Sequence, residues 1–158
     1  MRTHKSYAVG MPDRDDAGVA AWAALLRTHA AVLRELEGDM ERAQNMPLTW
    51  YDVLLELNAA PERKLRMQEL GERAVVSRSR VSRIVDELAR AGLVVREKDE
   101  TDRRGSWAVL TPAGRDRLRK AAPGYLDGIA RHFADHLTPE ERSTITGALD
   151  RVLAAHRR

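Results

Sequence analysis

The chain reads as mainly helical with one small β-hairpin, and three observations predict this. Aromatic residues are only 4% of the 158, so the core must rest on Leu, Val, Ile and Ala. That suits packed helices better than a sheet sandwich, which draws on aromatic and β-branched side chains. Long stretches place apolar residues three and four apart, the rhythm of an amphipathic helix. Two short runs, Leu93-Val94-Val95 and Trp107-Ala108-Val109-Leu110, break that rhythm and flank a charged, glycine-containing stretch, as two strands around a loop do.

Residues 1–16 are polar and form an expected loose arm. From Ala17 to about Gln44, Val19, Trp22, Ala23, Leu26, Ala30, Leu33, Leu36 and Met40 line one face of a long helix. Asn45-Met46-Pro47 ends it. Thr49 is the expected cap of a second helix carrying Val53, Leu54 and Leu57, which stops before Pro61. A short third helix spans Met67 to Ala74. Ser77 then caps a fourth, with Val81, Ile84, Val85 and Leu88 on its inner face. Gly92 stands where the residue after a helix turns left-handed. Strands follow on either side of a loop from Glu97 to Ser106. Thr111-Pro112 opens a long fifth helix carrying Leu118, Tyr125, Leu126, Ile129 and Phe133, with a kink expected at Pro123-Gly124. Thr138-Pro139-Glu140-Glu141 combines a cap, a first-turn proline and first-turn acids, a strong start for a last helix with Ile145, Leu149, Val152 and Leu153.

The order of elements makes residues 48–112 a winged helix-turn-helix. The outer helices, 17–46 and 113–158, are too long and too apolar on one face for a solitary domain of this size. A second copy of the chain is the simplest thing for them to pack against.

Composition narrows the function. There is no cysteine, which excludes disulfides, thiolate metal sites and thiol redox switches. No apolar run approaches the ~18 residues of a membrane span, and Met1 to Gly10 has no signal-peptide core, so a cytoplasmic, nucleoid-associated protein without a membrane partner is expected. No G-x-S-x-G, phosphate-cradling loop or catalytic pair of carboxylates is present. The expectation is a protein that is no enzyme and carries no cofactor.

The net charge is only +3, so its placement matters more than its size. Between Ser77 and Val85 there are three arginines and no acid; Asp86 and Glu87 come later. With the apolar positions turned inward, Ser77, Arg78, Ser79, Arg80, Ser82 and Arg83 mostly face out. Arginine can bond guanine O6 and N7 in pairs, serine can meet bases or phosphate, and a helix N-terminus attracts phosphate. In the loop, Arg103 suits a minor groove, and Asp102 beside Arg104 suits an ion pair that shapes the wing. These residues form the candidate contact set for double-stranded DNA.

Segment 77–88, then Ala91-Gly92-Leu93-Val94, then Asp102-Arg103-Arg104 followed by Val109 to Gly114, resemble in order and spacing the multiple-antibiotic-resistance regulator (MarR) family. The resemblance covers roughly residues 17–155. It implies a homodimer held by the first, fifth and sixth helices, bound to a pseudo-palindromic operator, usually to repress, and released by a small-molecule effector. It also implies an effector pocket between the first, second and fifth helices. Trp22 and Asp52 loosely match residues that some members use there, with Arg27, His29 and Tyr51 as further candidates. Trp22 on an apolar face reads equally as a dimer or core anchor. His132 and His136, four apart with Asp135 beside them, are candidates for zinc, against the plainer reading of surface histidines. A metal-responsive regulator of the same fold, or a winged helix that binds protein instead of DNA, are the alternatives.

Overall fold

The computed structural model describes residues 16–74, 76–99 and 105–156. Six helices, α1 (Asp16–Gln44), α2 (Leu48–Ala59), α3 (Met67–Arg73), α4 (Arg78–Arg90), α5 (Pro112–His132) and α6 (Pro139–Ala154), surround three short strands, β1 (Lys64–Arg66), β2 (Val94–Lys98) and β3 (Ser106–Leu110). The strands form one antiparallel sheet in the order β1-β3-β2. Leu65 pairs with Ala108, and Arg96 pairs with Ala108 from the other side.

The core gathers around α2. Val53, Leu54 and Leu57 are fully buried there, against Leu70 of α3, Val81, Val85 and Leu88 of α4, and Val94 and Ala108 of the sheet. From α1, Leu36 and Met40 enter this core with Val32 and Leu33 packed against it, and from α5 Leu118 and Ala121 do, with Tyr125 and Ile129 packed against it. The early part of α1 carries Val19, Trp22, Leu25 and Leu26 to the surface, and α6 has no buried residue. Trp22, a candidate core anchor, is 60% exposed, so it anchors nothing in its own chain's core.

Local chemistry explains most helix ends. Ser77 accepts from the Arg80 backbone N–H at 3.3 Å, and Thr138 with Glu141 forms a reciprocal capping box. Gly92 takes φ +73°, as expected. Thr111 caps α5 by accepting from Gly114 N–H at 3.0 Å, and its hydroxyl donates to the Gly92 carbonyl at 2.8 Å. One side chain thereby joins the end of α4 to the start of α5. Arg117 donates to the Gln44 carbonyl, fastening α5 to the end of α1.

Four details differ from expectation. α2 starts at Leu48 with Pro47 at the cap position and no side-chain cap; Thr49 lies inside the first turn. Proline has no side-chain acceptor, and the Pro47 carbonyl instead takes the Trp50 N–H at 3.0 Å and the Tyr51 N–H at 3.4 Å. α5 ends at His132, leaving Phe133, expected within it, outside with φ −137°. The hairpin is longer than its apolar run, because Glu97 and Lys98 pair with Trp107 and Ser106. Finally, β1 is a third strand that no sequence pattern announced; three residues are too few to show alternation.

Two glycines make the junction of α4, β2 and α5 testable. A Cβ on Gly92 would meet nothing within 4 Å, so Gly92→Ala should cost only the left-handed backbone penalty, about 1–2 kcal/mol. A Cβ on Gly114 would lie 2.1 Å from the Leu93 carbonyl oxygen, which itself accepts from Thr111 N–H. Gly114→Ala should therefore lower the urea midpoint further than Gly92→Ala. Equal losses would mean that α5 does not approach Leu93 this closely.

Candidate nucleic-acid interface

Helix α4 has three faces. At 100° per residue, Val81, Ile84, Val85 and Leu88 share one side, and all four are buried. Ser79, Arg83 and Arg90 lie on the opposite ridge, exposed to solvent. Its first turn has no acid. Arg78, Ser79, Arg80 and Arg83 are exposed, Ser82 is half-buried, and Ser77 is committed to the cap. Arg78 also donates to Gln68 of α3 at 3.3 Å. Of the sequence-derived set on α4, Arg78, Ser79, Arg80 and Arg83 are therefore displayed outward at the N-terminal end of a firmly seated helix, and Ser77 and Ser82 are engaged within the protein.

The flanks of α4 are gripped by neighbours that sequence patterns did not reveal. On one flank Trp50 of α2 donates its indole N–H to Glu87 at 3.0 Å. On the other, Arg96 of β2 donates to the Ser82 hydroxyl at 3.0 Å and lies 3.2 Å from the Asp86 carboxylate. Glu87 and Asp86 are the two acids that follow the acid-free segment. Glu87 is half-buried and turned to its partner on the flank, whereas Asp86 is exposed beside the basic ridge and paired with Arg96.

The sheet has its own brace. Asp99 is almost fully buried and pairs with Arg66 of β1 at 2.8 Å, while its backbone N–H donates to the Gly105 carbonyl. The Arg66 guanidinium lies 5.1 Å from the centre of the Trp107 ring, and the Lys64 ammonium lies 5.5 Å away. Asp99, whose place in the wing could not be read from sequence, thus pins the hairpin to β1. Asp102, Arg103 and Arg104 lie outside the described residues.

The candidate effector residues do not form one cluster. Tyr51 is buried with its ring 4.4 Å from that of Tyr125 on α5, and Asp52 is half-buried beside them. Trp22, Arg27 and His29 are exposed further up α1. Burial raises the Asp52 carboxyl to about 6, with repulsion from Glu56 and Glu37 adding to the shift. Burial also raises both tyrosine hydroxyls.

His132 and His136 are not on one helical turn, because α5 ends between them and His136 belongs to a separate 3₁₀ turn. The His132 ring Nε2 is 2.7 Å from Asp39 of α1, which also binds Arg131 and Arg42. The His132 hydrogen bond is the main cause holding the Asp39 carboxyl below its usual range. Among the described residues, no three His, Cys, Asp or Glu side chains come together as a metal would require, and no helix is long and apolar enough to cross a membrane.

A capped recognition helix beside a braced hairpin, carried between long helices, defines a winged helix-turn-helix regulator. The sequence profile of the MarR family matches residues 44–105. The chain is similar to Sco3205, a MarR family regulator from Streptomyces coelicolor crystallised with DNA, at 31% identity over 92% of this chain and 95% of that one, with a TM-score of 0.81. It is 35% identical over 80 residues to the regulator YkoM of Bacillus subtilis, a match covering 51% of each. It is 31% identical to the transcriptional repressor MprA of Escherichia coli over 58% of this chain and 52% of that protein. The matches to these two curated relatives thus span about half their length. The chain belongs to the MarR family of transcription regulators and is not an enzyme.

The raised Asp52 carboxyl has a measurable consequence. The folded state binds that proton more tightly than the unfolded chain, whose carboxyl titrates near ~4. Ionising Asp52 therefore costs stability as pH rises from about 4 to about 6, and the deficit persists above. Asp52→Asn should be more stable than the parent at pH 7.5, with the difference vanishing near pH 4 in thermal melts. A parent more stable at pH 7.5 would instead reveal a cationic partner for Asp52.

Proposed function

We propose that the protein is a homodimeric, sequence-specific regulator of transcription, repressing by occupying a pseudo-palindromic site on duplex DNA. The observation that carries this is the outward cluster on α4: an acid-free first turn, exposed arginines at 78, 80 and 83, and an apolar stripe that fixes them in place. In a groove, Arg80 and Arg83 would reach base edges or phosphate, Arg78 and Ser79 would support them, and Ser77 would present the helix N-terminus to the backbone. Arg103 and Arg104 belong to the wing in this reading, shaped by Asp102.

The dimer is supported by where apolar surface is left over. Val19, Trp22, Leu25 and Leu26 on α1, Leu126 on α5, and Val152 and Leu153 on α6 are exposed together with an α6 that buries nothing. Such surface fits residues 17–46 and 113–158 as the dimer-forming parts and 48–112 as the DNA-binding lobe. The repressor role is supported by the name of the relative MprA, and DNA as the partner by the complex of Sco3205. Release by a small molecule would act at the crevice of α1, α2 and α5, where Tyr51 and Asp52 sit. Trp22, Arg27 and His29, higher on α1, would take part only from a partner's side of the interface. An effector can shift the spacing of the two recognition helices only by binding one spacing more tightly than the other.

Arg80→Ala with Arg83→Ala tests this directly. Each lost bidentate contact is worth about 1–3 kcal/mol, so preference for a selected duplex should collapse while the dimer mass and melting transition persist. The parent's binding should also be steep in salt, with a log–log slope near −7 if ~8 phosphates are neutralised. Unchanged affinity in the double variant, or a parent that is monomeric, would refute the reading.

A further inference from the structure

The wing is a lever. Val94, Ala108 and Leu110 are buried at its root, whereas Val95 to Lys98 are exposed along β2, the edge strand of the sheet. Beyond the root, polar contacts tie the hairpin to its neighbours, those of Arg96 to α4 and that of Asp99 to Arg66 of β1. Arg96 shares the β2 face of Val94, two residues earlier, and so points toward α4. Its guanidinium reaches two acceptors one helical turn apart, the Ser82 hydroxyl at 3.0 Å and the Asp86 carboxylate at 3.2 Å. A planar fork bridging two acceptors fixes direction as well as distance, which a point charge does not.

We propose that Arg96 is a positioning residue for DNA recognition: it locks the wing to the recognition helix so that the two grooves are engaged in one preset geometry. This rests on the DNA-reading function above. Stability is a poor account of the contact. Arg96 is 37% exposed and Asp86 52%, and an ion pair that open adds little to folding. Direct phosphate binding is also a poor account of the resting arrangement, because the guanidinium is already spent on Ser82 and Asp86. In this assignment Ser82, read from sequence as a DNA contact, serves the wing, and Asp86 belongs beside the basic ridge as the anchor of the fork. The Arg66–Asp99 pair holds the hairpin to β1 on its other side, so the two ties brace the wing from both flanks.

The test uses the full-length protein, a duplex that the wild type enriches from a random-sequence pool, and poly(dI-dC) as a non-specific probe. Arg96→Met should lower affinity for the enriched duplex about tenfold, or roughly 1.4 kcal/mol. Affinity for poly(dI-dC), the log–log salt slope and the melting temperature should stay put. Asp86→Ala should weaken the enriched duplex too, although it removes a negative charge, and Arg96→Met combined with Asp86→Ala should be no worse than Arg96→Met alone. Arg96→Lys should not restore affinity.

If Arg96 instead bound phosphate directly, its loss would flatten the salt slope by about 0.9 and weaken both duplexes in parallel, and Asp86→Ala would strengthen binding. Either result, additive losses in the double variant, or wild-type affinity in Arg96→Met would overturn the proposal. Should Arg96→Met fail to fold, the sign of the Asp86→Ala effect decides. A wild type that enriches no duplex removes the DNA-reading function itself, and this inference with it.

Discussion

The burial of Val81, Ile84, Val85 and Leu88 governs which way the basic face of α4 points. Those four side chains sit against the most completely buried part of the molecule, with Val53, Leu54 and Leu57 of α2 and Leu70 of α3. A helix so seated cannot roll without exposing apolar surface, at a cost of about 25 cal/mol per Å². Arginines and serines at the remaining positions are therefore displayed with little freedom to turn away. Preorganisation of this kind reduces the ordering cost of binding, which is where much affinity is otherwise lost.

Around that anchor, polar contacts join elements distant in the chain. Trp50 and Glu87 connect α2 to one flank of α4, Arg96 connects the wing to the other, and Thr111 links the end of α4 to the first turn of α5. Asp39 joins α1 to α5 through His132 and Arg131. Helices α1 and α5 are thus tied to each other and to the lobe that carries α4. Packed and hydrogen-bonded neighbours therefore run without a break from α1 and α5 to α4.

What could be read from sequence follows the range of the interaction. The helical rhythm of α1 and α4, the Ser77 and Thr138 caps and the left-handed Gly92 are set by residues within a few positions of one another, and each stands as expected. The outward cluster of Arg78, Arg80 and Arg83 was legible for the same reason, since the apolar stripe fixes the opposite face. The Arg96 fork, the Trp50–Glu87 bond, the burial of Asp99 and the strand Lys64–Arg66 depend on partners 10 to 45 residues away, such as Asp86 for Arg96 and Val109 for Lys64. A charged loop gives no sign that one of its acids will be buried. Likewise the spacing of His132 and His136 suggested a shared turn only because nothing local announces that α5 stops at His132.

The central claim is that the outer ridge of α4 lies in a major groove, twice, about the two-fold axis of a dimer. Protection of guanine N7 from dimethyl sulfate on a selected duplex reads this most directly, because that atom is open only from the major groove. Two protected clusters with centres about one turn (~10 bp) apart are expected. A bound complex in which every guanine N7 still reacts, or in which a single cluster is covered, would contradict the account.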